Sequence, residues 1–553
     1  MFLYTYENLK KASKTKKGKE YCKQLEKYYE QNFKNNPIKA LTFSKFKLFH
    51  LTGNRTEYQN EYYDRRIRLN VLQVLSIYNN AYLEELEDVI FAICDEITWA
   101  IPAHCYDFET NTYKYREIDL QAVETAMYLA EIDYVFKDKL SPEIRNRIKY
   151  SLQERIVNQY ENRTFKFDTM GNNWASVCSC GVGLTYLYAF PERFNLVKDR
   201  IFGGMERYLG KLDKDGYCSE GFAYWIYGFG FFTLFYDVYY QLTGEKPLIL
   251  DSEVVKNSVK YAENSILGDG VYIPISDGAL SSFSLEDDAV PVINNLFNAN
   301  IQINGGKLGV SIGKALSLRR LYFINQKVKP CINTKKSLFF EKSQVLVEKT
   351  SNYIFIAKGG NNAEMHNHND IGSFSIFKNG VQYIVDPGSG EYTKGYFGSE
   401  KERYSIETFV CNSLAHSVPI VDGLTQKYGK DYFASVLNRT KNNICYDLSS
   451  AYPNKVNKLT VNYTLNENGV TASYEAKGLQ KGITFRFISF IKPKISGNKV
   501  LIGDMLVLAS KVQNINVMRY EFSNHQAEKT TAYAIDYVFE NISDINAQFD
   551  FNF

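Results

Sequence analysis

Histidine is scarce in this sequence, and three of its six histidines lie close together in the second half. His366 and His368 stand in the run AEMHNHND, and His416 follows in SLAHSVPIVDG. Asp386 lies between them, in QYIVDPGSGEY. Two imidazoles and a carboxylate form a ligand set typical of zinc, with one coordination position left for water or another group. The clustering therefore favours a shared site over separate structural histidines.

A second set of candidate residues surrounds the three tryptophans, all of which fall in the first half of the chain. They stand in CDEITWAIPAHC, MGNNWASVCSCG and DGYCSEGFAYWIYGFG. Aromatic faces beside amides and carboxylates suit a carbohydrate cleft, although the same rings could simply fill gaps between helices. The candidates are Trp99 with Glu96 and His104, Trp174 with Asn172 and Asn173, and Trp225 with Glu220, Tyr224 and Tyr227.

This residue set is consistent with proton abstraction next to a carboxylate, as in the cleavage of a uronic acid polymer. A neutral amide such as Asn173, or a metal, can stabilise the charge that develops on the substrate carboxylate. Histidine and tyrosine can then serve as base and acid. A hydrolase would need two opposed carboxylates instead, and Glu96 and Glu220 keep that alternative open.

The elements that carry these residues change type along the chain. Over residues 58–321, apolar residues recur at helical spacing, for example in segments 65–78, 119–135 and 142–160. Many consecutive amphipathic helices, with no strands evident between them, favour an α/α hairpin array or toroid over a small bundle. A break is expected at Gly-Asp-Gly, residues 268–270.

From about residue 328 onward the pattern alternates as in β-strands. The run SFSIFKNGVQYIVD contains two strand-like segments joined at Asn379-Gly380, which is a strong signal for a hairpin with a type I′ turn. Pairing through this turn places Asp386 opposite Ser373, so the HNHND segment must curl for His368 to reach Asp386. Further alternating segments continue to the C-terminus and predict an antiparallel sandwich. The predicted domains are residues 1–327 and 328–553.

Composition limits the classes of function. The chain has 553 residues, 45% of them hydrophobic, and a formal net charge of +3, which gives no reason to expect nucleic acid. The nine cysteines follow no disulfide or metal-site pattern and predict reduced, mostly buried thiols. Without a long apolar run or a leader-like N-terminus, we expect no membrane span, and a cytoplasmic protein by default. A removed leader would allow a periplasmic or secreted location.

The sequence resembles the heparinase II/III-like family of bacterial polysaccharide lyases. The resemblance runs from LTFSKFKLFHLTGNR through CDEITWAIPAHC and GNNWASVC to HNHNDIGSF, VDPGSGEY and AHSVPIVDG. It implies an incomplete (α/α) toroid followed by an antiparallel β-sandwich, an α+β multidomain arrangement that agrees with the patterns above. It also implies an acidic, uronate-containing polysaccharide as the substrate.

The resemblance also implies roles for individual residues. Asn173 matches the residue that neutralises the substrate carboxylate, with Asn172 a possible substitute, and Tyr224 matches the tyrosine that protonates the leaving oxygen, with Tyr227 as its rival. His366 matches the catalytic base or its partner. Three residues resemble the zinc ligands of some members, namely His368, Asp386 and His416. The aromatic and polar residues of the carbohydrate cleft described above that are expected to contact substrate are Asn172, Trp174, Glu220, Tyr227, His104 and Trp99.

Two positions depart from the family pattern. Trp174 stands where relatives often have a histidine, and a tryptophan cannot act as a base. His416 is followed by Ser417 rather than asparagine, so the groups that support the third ligand differ. The sequence therefore predicts a lyase acting by β-elimination. A glycoside hydrolase on the same fold and a non-catalytic polysaccharide-binding or assembly protein are the alternatives.

Overall fold

The chain divides into two compact units in the computed structural model, which describes residues 2–268, 271–278, 286–301, 317–325, 337–393, 395–454, 456–525 and 527–553. The first unit comprises Met1–Leu212, Trp225–Glu263 and Ser282–Cys331, and the second comprises Asp213–Tyr224, Asn264–Ser281 and Ile332–Phe553. Two short segments of the helical half thus group with the second unit. The boundary predicted at residues 327 and 328 lies outside the described residues.

The described part of the helical region consists almost entirely of α-helices, as predicted. They are α1 Tyr6–Lys14, α2 Lys16–Asn32, α3 Phe43–Phe46, α4 Leu48–Thr52, α5 Thr56–Tyr78, α6 Leu83–Cys94, α7 Pro102–Cys105, α8 Leu120–Val135, α9 Pro142–Leu152, α10 Asn158–Asn162, α11 Asn173–Ala189, α12 Lys198–Leu209, α13 Phe222–Thr243, α14 Glu253–Ser265, α15 Glu286–Phe297 and α16 Ser317–Phe323. The predicted break follows α14, but Asp269 and Gly270 lie outside the described residues.

Helix starts follow ordinary capping chemistry. The Asp119 side chain accepts a hydrogen bond from the Ala122 amide at the start of α8, and Ser141 caps α9 just before a proline at its first position. On the face between α8 and α11, a Cβ on Gly181 would lie 2.5 Å from Cβ of Val123. Glycine therefore permits the close approach of these two buried helices.

One expectation for the helical half was wrong, because two short strand pairs interrupt the helices, and the second of them pairs Ile266–Gly268 with Val271–Tyr272. Strand β1 (Tyr106–Asp107) pairs antiparallel with β2 (Thr112–Tyr113). Asn111 adopts a positive φ of 55° in the connecting turn, a conformation that asparagine tolerates better than most residues. Two strands of two residues are too short to produce a recognisable alternating pattern.

The second unit is built largely from antiparallel sheets, which confirms the predicted change of structure. Among the described residues, one sheet contains β5 Ser337–Phe340, β6 Val345–Lys349, β7 Ile354–Lys358, β9 Phe374–Lys378 and β10 Val381–Ile384; another contains β11 Pro419–Val421, β17 Gly482–Ser489, β21 Asn514–Ser523 and β22 Lys529–Glu540; the largest contains β13 Ser435–Thr440, β14 Asn443–Asp447, β15 Lys458–Asn466, β16 Gly469–Lys477, β18 Lys494–Ser496, β19 Lys499–Ile502, β20 Met505–Ala509 and β23 Asp544–Asn552. Small pairs are formed by β3 Ile266–Gly268 with β4 Val271–Tyr272 and by β8 Asn361–Asn362 with β12 Gly429–Phe433, and one short helix, α17, spans Glu400–Arg403.

The three larger sheets share one hydrophobic core. The ring of Phe551 on β23 lies 5.3 Å from that of Phe374 on β9 and 5.1 Å from that of Phe487 on β17. The largest sheet therefore packs against both of the others through aromatic side chains. Much of the aromatic content of this half fills the core rather than a sugar-binding surface.

The predicted hairpin at Asn379-Gly380 is confirmed. Both residues have positive φ, 51° and 76°, and Lys378 pairs with Val381 across the turn. A register irregularity between Gln382 and Ile384 then shifts the pairing of the second strand.

Two further expectations hold within the described residues. Eight cysteines there are free, seven of them buried and Cys445 half-buried, as expected for reduced thiols. A search of the described helices finds none with the length and apolar character needed to cross a membrane.

Candidate functional site

Two backbone segments of the second unit meet at Gly221. They carry two acidic residues of the site, Glu220 and Asp277. Gly221 has φ +97°, and a Cβ on it would lie 2.7 Å from the Ile275 carbonyl oxygen. The Ser276 hydroxyl donates to the Ser219 carbonyl oxygen at 3.0 Å. The segment carrying Glu220 is therefore fixed against the segment carrying Asp277.

The HNHND segment curls between strands β7 and β9. The Asp370 amide donates to the His368 carbonyl oxygen at 3.0 Å, and Gly372, with φ +83°, donates its amide to the Lys358 carbonyl oxygen at 2.8 Å. The Lys358 ammonium group lies 2.5 Å from the Asp370 carboxylate, and both side chains are buried. This compact turn holds His368 rigidly, whereas His366 stays half-buried.

Asp277 is the centre of the site, and its carboxylate accepts hydrogen bonds from four side chains. One oxygen, Oδ2, accepts from His366 Nδ1 at 2.6 Å and from the Tyr392 hydroxyl at 3.2 Å. The other, Oδ1, accepts from His368 Nε2 at 3.0 Å and from the Tyr396 hydroxyl. Each oxygen thus accepts from one imidazole and one phenol.

The charge of Asp277 is maintained by these donors. Burial alone would raise the pKa of Asp277, but the hydrogen bonds that it accepts from His366 and His368 outweigh this effect and hold that pKa well below its usual range. Asp277 therefore acts as a charged acceptor at neutral pH.

Tyr224, the first candidate acid, lies against the candidate base. Its ring stacks on the His366 imidazole, with centroids 4.0 Å apart and an interplanar angle of 27°. Its hydroxyl lies 2.5 Å from that of Tyr392. Burial, followed by the nearby Asp277 carboxylate, raises the pKa of Tyr224 well above its usual value, so the phenol keeps its proton.

Glu220 faces the other side of the His366 ring. Its Oε2 lies 3.6 Å from His366 Nε2. This oxygen has no hydrogen-bond partner among the described residues. Burial raises the pKa of Glu220, which is only 8% exposed, and protonation of His366 would oppose that rise. The His366 imidazole therefore lies between two carboxyl groups. The pKa of Asp277 is lowered and that of Glu220 is raised, so Glu220 is the more easily protonated of the two.

The three predicted metal ligands come together in the second unit. One donor atom from each of His368, Asp386 and His416 lies within 4.8 Å of the others, and all three residues are buried. His416 Nδ1 is 3.4 Å from Asp386 Oδ2 and 4.0 Å from Asp370 Oδ2.

The remaining bonds of these residues suit a zinc ligand set. His416 donates its Nε2–H to the Val410 carbonyl oxygen at 2.8 Å, which leaves Nδ1 as the free nitrogen. His368 uses Nε2 toward Asp277, and the Nδ1 atoms of both histidines are buried without a hydrogen-bond partner in the described part of the chain. Metal-binding histidines commonly donate their second ring N–H to a carbonyl or a carboxylate, so the donor set fits zinc.

The predicted residues of the first unit form a separate group around the start of α11. Asn172 caps this helix by accepting from the Trp174 amide at 3.2 Å, and Asn173, 4% exposed, is its first residue. The Trp174 ring packs edge-on against His104, with centroids 4.9 Å apart, and His104 Nδ1 lies 2.7 Å from Asp119. The structure therefore brings these candidates together within this unit.

Three other candidates of the first unit are engaged in packing or ion pairing. Trp99 is 2% exposed and donates its indole N–H to the Ile93 carbonyl oxygen at 2.9 Å, which argues against its use as a sugar platform. The Tyr227 hydroxyl donates to buried Glu124. Glu96 accepts two hydrogen bonds from Arg66, at 2.6 and 2.7 Å, and is therefore poorly suited to act as an acid or base.

Sequence reasoning missed three residues of this site: Asp277, Tyr392 and Tyr396. Tyr392 is the last residue of the DPGSGEY run and Tyr396 follows soon after it, so their position at a recognised motif was an available signal. Asp277 lies in an ordinary I-S-D-G run, 89 residues before His366, and nothing in the sequence marks it.

Comparison with solved structures finds the same fold in several polysaccharide lyases. A heparan sulfate lyase from Pedobacter heparinus aligns with a TM-score of 0.60 at 13% identity, covering 99% of this chain and 91% of that one. A heparinase III aligns with a TM-score of 0.63 at 13% identity, with the same coverage. A chondroitin AC lyase from Streptomyces coelicolor aligns with a TM-score of 0.55 at 8% identity, covering 99% and 82%.

Sequence comparisons find no relative: no protein-family model matches the chain, and no curated protein matches it significantly. At these sequence identities the structural likeness establishes the fold alone. Like this chain, those lyases contain helical and antiparallel sheet regions.

Proposed function

We propose that this protein is a polysaccharide lyase that cleaves an acidic, uronate-containing polymer by β-elimination. The observation that carries the proposal is the stacked pair of Tyr224 and His366, anchored through Asp277, on a fold shared with glycosaminoglycan lyases. The toroid arrangement of the helices and the heparinase II/III-like family form part of the same proposal.

In this proposal His366 is the base. Its Nδ1–H is held by Asp277, so Nε2 offers a lone pair that can take the proton from the carbon next to the uronate carboxylate. The electrons of that C–H bond form a carbon–carbon double bond, and the glycosidic C–O bond on the neighbouring carbon breaks.

Tyr224 is the acid in the same step. Its high pKa keeps the phenol protonated, so it can donate to the departing glycosidic oxygen. The Tyr392 hydroxyl, 2.5 Å away and itself bonded to Asp277, offers a route by which the phenolate recovers a proton.

Asn173 enters the proposal through the family resemblance alone, as the amide that neutralises the substrate carboxylate. Zinc is proposed at His368, Asp386 and His416, where it would supply a fixed positive charge and join the loops that carry these residues.

The test is incubation with heparan, chondroitin, hyaluronan, alginate and bacterial exopolysaccharides, followed by ultraviolet absorbance of the new unsaturated end. Tyr224→Phe should lower kcat on the responsive polymer by about 10²–10⁴-fold, because it removes the acid but keeps the stacked ring. Tyr240→Phe, at an exposed tyrosine of the first unit, is the matched control and should leave the rate unchanged. No chromophore with any polymer, despite binding, would favour a non-catalytic binding protein.

A glycoside hydrolase remains the second candidate because Glu220 is buried, its Oε2 has no hydrogen-bond partner among the described residues, and its pKa is raised, as a general acid requires. Chain shortening without an unsaturated end would favour it. Glu220→Gln should then abolish cleavage, whereas Tyr224→Phe should largely preserve it.

A further inference from the structure

We infer that Asp277 is a positioning residue that fixes opposite ring tautomers in His366 and His368, leaving one imidazole as a base and the other as a metal ligand. The value of this arrangement for catalysis rests on the proposed function. The tautomers themselves do not, and they can be measured independently.

The argument begins with which nitrogen of each ring meets the carboxylate. His366 presents Nδ1 to Asp277 at 2.6 Å, whereas His368 presents Nε2 at 3.0 Å. A neutral imidazole carries one N–H and one lone pair, and an ionised carboxylate can only accept. The proton therefore lies on Nδ1 of His366 and on Nε2 of His368.

The surroundings of Asp277 prevent the reverse arrangement. Tyr392 and Tyr396 also donate to its two oxygens, so all four of its described neighbours in hydrogen-bonding contact are donors. A carboxylate surrounded in this way stays ionised and cannot donate to a lone pair on either ring. Both tautomers follow from one charged acceptor.

The nitrogens left without a proton have different surroundings. His366 Nε2 lies 3.6 Å from Glu220 Oε2 on a half-buried ring. His368 Nδ1 is fully buried and without a hydrogen-bond partner in the described structure, on a residue of the His368, Asp386 and His416 cluster. His366 Nε2 is placed for proton transfer, and His368 Nδ1 is placed to bind a metal ion. The buried Asp277 carboxylate therefore orients both imidazoles.

The direct test is nuclear magnetic resonance of the chelator-treated wild-type chain labelled with ¹⁵N-histidine. Long-range ¹H–¹⁵N spectra distinguish the two tautomers, and the signals are assigned by their loss in His366→Gln and His368→Gln. We expect the proton on Nδ1 of His366 and on Nε2 of His368. The same tautomer in both rings would overturn the inference.

The substitution Asp277→Asn tests whether the carboxylate fixes both tautomers. An amide has the same shape but presents an acceptor on one side and a donor on the other, so it cannot keep both rings in their tautomers. We expect one imidazole to change tautomer and Zn²⁺ affinity, measured by calorimetry, to fall about 10–100-fold. Tyr396→Phe, which removes a donor but keeps the carboxylate, should leave both tautomers in place.

Unchanged imidazole spectra and Zn²⁺ affinity within about twofold of wild type in Asp277→Asn would refute the positioning role. If that variant does not fold, the wild-type spectra decide the question. If no polymer is cleaved by the wild-type chain while the tautomers are as expected, the proposed function fails and the assignment of Asp277 stands.

Discussion

At the scale of single residues, each buried polar atom of the candidate site has few possible hydrogen-bond partners. His416 has one nitrogen committed to the Val410 carbonyl, and His368 has one committed to Asp277. Leaving a buried acceptor unpaired costs roughly 1–3 kcal/mol, so a cluster of such atoms destabilises the fold unless a ligand satisfies them. A bound cation would satisfy these atoms together.

Metal content follows from this arrangement. We expect the chain purified without chelator to contain about one zinc per molecule, measured by atomic emission, and to lose it in His368→Ala or Asp386→Asn. His104→Ala, which removes a histidine outside the cluster, should retain the metal. Zinc that persists in both cluster variants would show that it binds elsewhere.

A buried carboxylate of the first unit provides a pH-dependent prediction. Asp237 accepts a hydrogen bond from Tyr4 at 2.7 Å, and burial raises the pKa of Asp237 despite that bond. The native state therefore holds a proton that the unfolded state releases above its ordinary pKa of 3.8. This contribution to stability is complete below that value and is lost as pH rises through the folded-state pKa.

Asp237→Asn should remove that dependence, because an amide accepts from Tyr4 without ionising. Relative to wild type, the variant should gain about 1 kcal/mol in the free energy of unfolding between pH 4 and pH 7, measured by urea titration at each pH. A difference between the two proteins that does not change with pH would contradict this account.

At the scale of elements, the site is held by turns in which glycine allows close contact. Gly221 brings the turn carrying Glu220 against the Ile275 carbonyl, and Gly372 closes the turn after the HNHND segment. Both glycines have positive φ, where other residues are strained. The geometry of the site therefore depends on backbone positions that carry no functional side chain.

Gly221→Ala should be costly for this reason. Strain at φ +97° and the 2.7 Å approach of a new Cβ to a carbonyl oxygen should together lower the free energy of unfolding by about 2–4 kcal/mol, measured with urea. Gly423→Ala, also at positive φ but with nothing within 4 Å of the new Cβ, should cost only about 1 kcal/mol. Equal losses in the two variants would show that the close approach is unimportant.

At the scale of the whole molecule, the high aromatic content has a structural use in the sheet unit. The Phe549 ring lies 5.0 Å from Phe487 and 4.9 Å from Tyr537, and it is fully buried in the core that the three sheets share. Rings that join separate sheets determine how closely the layers pack.

Phe549→Ala should therefore destabilise the sheet unit by about 3–5 kcal/mol, seen as an earlier unfolding transition in urea. Phe433→Ala, at a ring that is 41% exposed in the same unit, should change stability by less than about 1 kcal/mol. A small loss for Phe549→Ala would mean that neighbouring rings refill the space.

Features that depend on residues close together in the chain were predictable from the sequence. Helical spacing, the alternation of strands and the Asn379-Gly380 turn are all local signals, and the structure agrees with each. The histidine motifs also stood out because their residues are rare and close in sequence.

The surroundings of those histidines depend on contacts between residues far apart in the chain. Asp277 reaches His366 across 89 residues of chain, and Tyr396 reaches Asp277 across 119. Such contacts arise from the packing of loops against one another, and no periodicity or turn preference encodes them. The histidines of the candidate site were thus readable in the sequence, whereas the carboxylate that contacts His366 and His368 was not.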